Sequence, residues 1–261
     1  MTTLRASQQP TPSEALSRAL DLVLATVGVI VLAPLMLLIT IAILLETGRP
    51  ILFAQVRLGK GGKRFWMYKF RKFGPNPATQ GCPLTVKGDP RMTRVGRVLE
   101  ATKLDELPQL FNILRGEMAF VGPRPESLDF ADCFEGAFLG VLEHRPGIFG
   151  PSQVAFRSEA DLYPAEKDPT VFYRRVLFPT KATLDLQYYP NRTTIRDIGW
   201  LLRGVLAVLG ATPAPASNVP LAGKSVTKAA RRRAPGRGTG RRSLGSLNPE
   251  YDPAAKRIPG E

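Results

Sequence analysis

Asp105 and Glu106 stand side by side in TKLDELPQLFNILRGEMAFVGPRP, residues 102–125, in a chain with 36 Lys and Arg against 22 Asp and Glu. Adjacent acids on a helix project about 100° apart, so they need not share a proton, yet both can reach one cation. Magnesium suits such a pair, because it keeps several waters and takes one or two carboxylates plus substrate phosphates. A carboxylate can also attack phosphorus and form a covalent aspartyl phosphate. The plain alternative is that an acidic pair at a helix start caps the helix and is solvated.

GPRPE, residues 122–126, sharpens the case. Two prolines fix φ on either side of Arg124, so its guanidinium is presented from a stiff turn. That group is a planar fork of donors suited to bidentate phosphate binding. HRPGIFGPSQV, residues 144–154, repeats the idea with Arg145 ahead of Pro-Gly and a second Gly-Pro turn. Two rigid Arg turns and an acidic pair suggest a phosphate-handling site; solvated turns are the alternative. His144 is the single histidine, so a Ser-His-Asp triad or a His-based metal site would hang on one residue. Cys82 and Cys133 form no CxxC or Cys/His group, which speaks against zinc and against a disulfide framework.

These residues need elements to hold them. RMTRVGRVLEATKLDELPQLFNILRG carries Leu104, Leu107, Phe111 and Leu114 at helical spacing. Pro108 costs no hydrogen bond if Asp105 or its neighbour is the N-cap, which would leave Asp105 ionised near the surface. With Thr102 as the cap, Pro108 would kink the helix instead. Upstream, ILFAQVRLGKGGKRFWMYKFRKFG reads as two β segments about a Gly-Lys-Gly-Gly turn. Seven basic residues from Arg57 to Lys72 interleave there with aromatics, a mix suited to anionic headgroups or a phosphorylated substrate. Nucleic acid is the rival partner for such a patch. TTIRDIGWLLRGVLAVLG predicts an amphipathic helix, at a membrane interface or packed on the core. There is no Walker-type loop and no GxGxxG.

Leu22 to Leu45 is a run of 24 residues without a charge. As a straight helix it would be about 36 Å long, enough for a bilayer core of about 30 Å. The run is too long for a cleavable signal peptide. Pro34 lies near its middle and would bend it. Basic residues flank both ends, Arg5 and Arg18 before, Arg49 and Arg57 after. Keeping both flanks on the cytoplasmic side favours a re-entrant hairpin broken at Pro34; an ordinary span with a tolerated kink is the alternative. A membrane segment makes nucleic acid the weaker partner. At the other end, Pro215–Glu261 holds ten basic and three acidic residues, half of the net +14. That stretch is rich in Arg, Gly, Pro and Ser, and its composition predicts disorder.

From about Ser17 to Gly210 the chain resembles the bacterial sugar transferase family of monotopic phosphoglycosyl transferases. The resemblance rests on SRALDLVLATVGVIVLAPL, GRPILFAQVRLGKGGKRFWMYKFRKF, DPRMTRVGRVLEATKLDELPQLFNILRGEMAFVGPRPE, RPGIFGPSQV and DLQYYPN, in order. It implies transfer of a sugar-1-phosphate from a UDP-sugar to undecaprenyl phosphate with release of UMP, initiating exopolysaccharide or another lipid-linked glycan. It further implies Asp105 as nucleophile, Glu106 as its partner on Mg2+, and Arg124 on phosphate, with Lys69 and Arg145 near the phosphates. Pro34 matches the break in the family's membrane helix. Glu100 stands where a basic residue is common, and Phe149-Gly150-Pro151-Ser152-Gln153 lacks the usual Trp.

The expected fold is α/β, mainly helical with little sheet, on the cytoplasmic face of the bacterial inner membrane. The expected divisions are a flexible N-terminus (1–16), a re-entrant membrane helix (17–48), a catalytic domain with interfacial helices (49–210) and a basic tail (211–261) that could recruit glycan-assembly proteins. The alternative function is a catalytically weak, membrane-anchored adaptor.

Overall fold

The computed structural model describes residues 12–74, 84–85, 88–164 and 168–208, so the basic tail lies outside the described residues. One long helix, α1 (Pro12–Thr47), leads into a hairpin of β1 (Leu52–Leu58) and β2 (Arg64–Phe70). Helices α2 (Arg94–Thr102) and α3 (Gln109–Arg115) follow, then the short strands β3 (Ala119–Val121) and β4 (Gly147–Phe149). The rest is helical: α4 (Pro151–Ala155), α5 (Pro169–Phe172), α6 (Phe178–Tyr188) and α7 (Thr194–Val208). The fold is mostly helical with small sheets. β1 and β2 are antiparallel, Leu52 opposite Phe70 and Leu58 opposite Arg64, while β3 and β4 are parallel. The turn between β1 and β2 uses Gly61 and Gly62 at φ 69° and 74°, a region that L side chains rarely adopt.

α1 is long and apolar enough to cross a membrane. Pro34 lies inside this one helix, so any bend there is a kink rather than a loop between two helices. Its faces differ sharply. Ala25 and Ile43 are buried, whereas Ile30, Val31 and Leu45 are 68%, 66% and 83% exposed. The buried face enters two separate apolar clusters. Ala25 packs with Phe65, Met67, Leu110 and Ile113, and Ile39 and Ile43 pack with Phe70 and Leu99. A third cluster, built on Phe130, Phe134, Tyr173 and Phe178, fills the body away from α1.

Both ends of α1 are tied to the same body. Arg18 donates to the carbonyls of Ile113 and Leu114 at 2.7 and 3.2 Å, a cation at the C-terminal end of α3. Glu46 accepts from the N–H groups of Arg94 and Val95 at 2.7 and 3.0 Å, an anion at the N-terminal end of α2. Arg71 closes the end of α1 itself, donating to Thr47 Oγ1 at 2.6 Å and to the Gly48 carbonyl at 2.8 Å.

Candidate active site

Helix α2 ends at Lys103, the only non-glycine residue at positive φ among the described residues (59°). The chain then makes one 3-10 turn, Leu104–Glu106, before α3 begins after Pro108. Asp105 is therefore not an N-cap and not near the surface, which corrects the sequence expectation: it is 3% exposed. The physical cause is packing. Leu104 and Leu107 on either side of the dyad lie against the Ile39–Ile43 cluster of α1, and this draws the turn inward.

Lys69 meets the dyad from β2, where it shares a face with the buried Phe65 and Met67. Its Nζ donates to Glu106 Oε1 at 2.7 Å and stands 3.9 Å from Asp105 Oδ2. Asn112 fixes the strand to α3. Its amide donates to the Trp66 carbonyl at 2.6 Å and its Oδ1 accepts from the Tyr68 N–H at 3.1 Å. Lys72 pairs with Glu100 at 3.2 Å, so this acid is matched by a cation.

The two carboxylates are shifted in opposite directions. Burial pushes the Asp105 carboxyl up; Lys69 pulls against that, while Glu106 adds to the rise. For Glu106 burial also works upward, but Lys69 and Arg124 outweigh it and hold the carboxyl down at about 2. Asp105 Oδ1 is a buried oxygen with no hydrogen-bond partner among the described residues. No group of three or more His, Cys, Asp or Glu is placed to hold a metal among the described residues. A cation here would use the dyad and substrate oxygens, and the unpartnered Oδ1 fits that role.

Arg124 is brought to the same place. Its turn is pinned through carbonyls. Pro123 O accepts from Gly147 N at 2.9 Å, Pro125 O from Arg57 at 3.3 Å, and Glu126 O from Leu58 N at 3.0 Å. Gln153 donates to the carbonyls of Gly122 and Gly147 at 2.7 and 3.1 Å, joining the two Gly-Pro turns. β3 and β4 approach so closely at this point that a Cβ on Gly122 would lie 2.2 Å from the Arg145 carbonyl oxygen. Burial disfavours the Arg124 cation, yet Glu159, Glu106 and Glu126 outweigh that and hold it charged.

Arg124 and Glu106 open on a cavity of about 460 Å3. Lys103, Glu159 and Lys181 also line it, together with Leu24, Gly28 and Leu32 of α1 and Leu202 and Val205 of α7. Arg145 is not brought to the dyad. Its charged neighbours are Arg18, Asp21, Arg192 and Glu14, and only its backbone serves the Arg124 turn. Burial pushes His144 down to about 4, so the ring is neutral at pH 7. Lys103, Glu159 and Lys181 were not singled out from sequence. A lone Lys in FPTKATLDL, four residues before Asp185, was the available signal for the last.

Residues 12–211 match the family described as bacterial sugar transferase. Over 156 residues the chain is 40% identical to the UDP-N-acetylgalactosamine-undecaprenyl-phosphate N-acetylgalactosaminephosphotransferase of Aeromonas hydrophila, covering 58% of this chain and 37% of that protein. It is 41% identical over 140 residues to the UDP-glucose:undecaprenyl-phosphate glucose-1-phosphate transferase of Caulobacter vibrioides, covering 52% of each. The exopolysaccharide production protein ExoY of Rhizobium meliloti is 32% identical over 206 residues, 73% of this chain and 84% of that one. The chain thus spans about a third to a half of the first two relatives and most of the third. By this match, over the segment that carries α1, the dyad and the Arg124 turn, the chain belongs to the bacterial sugar transferase family.

Proposed function

We propose that this chain transfers a sugar-1-phosphate from a UDP-sugar to undecaprenyl phosphate and so initiates an exopolysaccharide or another lipid-linked glycan. The observation that carries the reading is the buried Asp105, with one carboxylate oxygen unpartnered, beside Lys69 and Glu106, where Glu106 and Arg124 line a cavity walled otherwise mostly by apolar side chains. That cavity suits a ligand with an anionic head and a hydrocarbon tail.

In the first step an oxygen of ionised Asp105 attacks the sugar-bearing β-phosphorus. The bond from that phosphorus to the oxygen bridging the α-phosphate breaks, and UMP leaves with the electron pair. In the second step a phosphate oxygen of the lipid attacks the same phosphorus and displaces Asp105, giving the sugar diphospholipid and the free carboxylate. Arg124 binds the phosphates, and Lys69 draws Asp105 toward its ionised form. Asp105 and Glu106 would hold Mg2+, which when bound neutralises the diphosphate so that an anionic attacker can approach.

The membrane seat proposed here is re-entrant, with the bend at Pro34. Arg18 and Glu46 are 28 positions apart on α1, about 42 Å along a straight helix, yet both cap helices of one folded body. A helix crossing a bilayer core of about 30 Å would carry one of those caps to the far side. The proposed location is therefore the cytoplasmic face of the inner membrane, with the exposed apolar faces of α1 and α7 in lipid.

The test is UMP release by the purified chain with undecaprenyl phosphate, magnesium and a panel of UDP-sugars, beside Asp105→Asn. Release with one or a few donors, lost in the variant, is expected. Equal release by the variant would sink the covalent step. No release with any donor from folded protein would point to a membrane-anchored adaptor.

A further inference from the structure

Behind Arg124 lies a layer of buried charge that the steps above do not use. Lys181 of α6 is 3% exposed. Its Nζ donates to Glu159 Oε2 at 2.8 Å and to the Tyr173 hydroxyl at 3.1 Å, and stands 3.9 Å from Glu126 Oε1. Tyr173 donates to Glu126 and Tyr163 to Glu159, each at 2.6 Å. Arg124, Glu159 and Lys181 line the main cavity, and Arg124, Glu126 and Lys181 also wall a small void of about 10 Å3 behind it.

Three carboxylates bear on Arg124: Glu106, Glu126 and Glu159. A guanidinium surrounded by three unmatched acids would attract no phosphate, because the local charge would be negative. Each of these acids has a cation beside it. Glu106 shares Lys69 with Asp105, Glu159 has Lys181, and Glu126 lies between Lys181 and the half-buried Arg57. Arg124 itself lines the main cavity, so its charge is presented there. A buried ion pair contributes little to stability compared with an apolar pair of the same volume, so stability alone gives weak grounds for an ion pair at this position.

We propose that Lys181 is a positioning residue, which neutralises Glu159 and Glu126 so that Arg124 faces the cavity with its charge available to a phosphate. The proposal rests on the reading of Arg124 as a phosphate ligand. It predicts opposite effects from the two ends of one ion pair. Removing the cation leaves excess negative charge beside Arg124, and removing the anion leaves excess positive charge.

The experiment measures UDP binding by calorimetry to the full chain in detergent micelles at fixed ionic strength, with thermal unfolding to confirm folding. Lys181→Met is expected to weaken binding about tenfold and Glu159→Gln to tighten it about threefold, with the charge-neutral double variant close to the parent. Shifts in the same direction, or none, would make the pair merely structural and overturn the proposal. If Lys181→Met does not fold, the sign of Glu159→Gln decides. Arg124→Gln separates the two ideas. UDP binding indifferent to that change would overturn the phosphate site itself, whereas binding lost in Arg124→Gln but insensitive to the Lys181 pair would overturn the role of Lys181 alone.

Discussion

Lys69 Nζ donates to Glu106 at 2.7 Å while standing 3.9 Å from Asp105, so one cation from a strand serves both members of an acidic pair on a turn. The sharing is unequal. It leaves Glu106 firmly ionised and Asp105 with a carboxyl that burial keeps above its usual range.

A pH dependence of turnover follows. In the proposed mechanism Asp105 attacks as the carboxylate, so its raised pKa would place the acid limb of kcat/KM above the ordinary aspartate range of about 4. Lys69→Met removes the largest influence that lowers that pKa, so the limb moves to higher pH. The profile of UMP release against pH for parent and variant checks this, and an unmoved limb would show that the limiting group is not Asp105.

Asp105→Asn is expected to raise thermal stability while abolishing transfer. An ionised Asp105 is buried with an unpartnered oxygen, which costs the fold about 1–3 kcal/mol. Asn removes the charge, and the midpoint of unfolding should rise by about 2–4 °C for each kcal/mol recovered at pH 7.5. A lower midpoint would mean that the Lys69 contact outweighs the burial.

Asp185, buried, and His144, half-buried, set opposite slopes of stability against pH. Asp185 is raised from 3.8 to about 7 by burial, against a hydrogen bond from Ser152. The stability it brings in acid is therefore lost as pH rises from about 4 to about 7. His144 is lowered from 6.5 to about 4, so its contribution is lost as pH falls across that window. Asp185→Asn should gain on the order of 2 kcal/mol over the parent above pH 7, and His144→Gln should flatten the acid side. Denaturant titrations at pH 5, 6.5 and 8 would separate them.

Gly122→Ala should lower stability and turnover together. Its new methyl would meet the Arg145 carbonyl oxygen and the Gly147 nitrogen, at 2.2 and 2.6 Å. Both are backbone atoms that cannot swing aside, so the β3–β4 pair must open, at a cost of about 1–3 kcal/mol. Gly199→Ala, which meets nothing within 4 Å, is the control.

The membrane seat is testable without turnover. Single cysteines at Ser13 and Arg49 should both resist an impermeant maleimide in intact spheroplasts and both react after lysis. Labelling of one alone before lysis would establish a spanning helix.

The local elements of the fold were legible in the chain. Gly61 and Gly62 marked the hairpin turn, and the spacing of Ile195, Ile198 and Leu202 marked α7. The conformation of the dyad was not legible, because it depends on Lys103 entering a left-handed backbone region and on Leu104 and Leu107 finding α1, about 65 residues away. The placement of Arg145 was hidden for a related reason. Its motif does reach the Arg124 turn, but through the backbone beside Gly147 rather than through its guanidinium. Lys181 escaped because a buried charge is recognised by its partners, and those partners, Glu126 and Glu159, come from distant parts of the chain.

The place of α1 in the cavity wall has a practical meaning. Leu24, Gly28 and Leu32 line the same space as Glu106 and Arg124, and a Cβ on Gly28 would lie 3.4 Å from Leu110. The greasy helix is thus masonry as much as mooring. Trimming it to make the protein easier to handle would remove one side of the room in which the work is done, and a foreign anchor of equal greasiness would restore attachment without restoring the room.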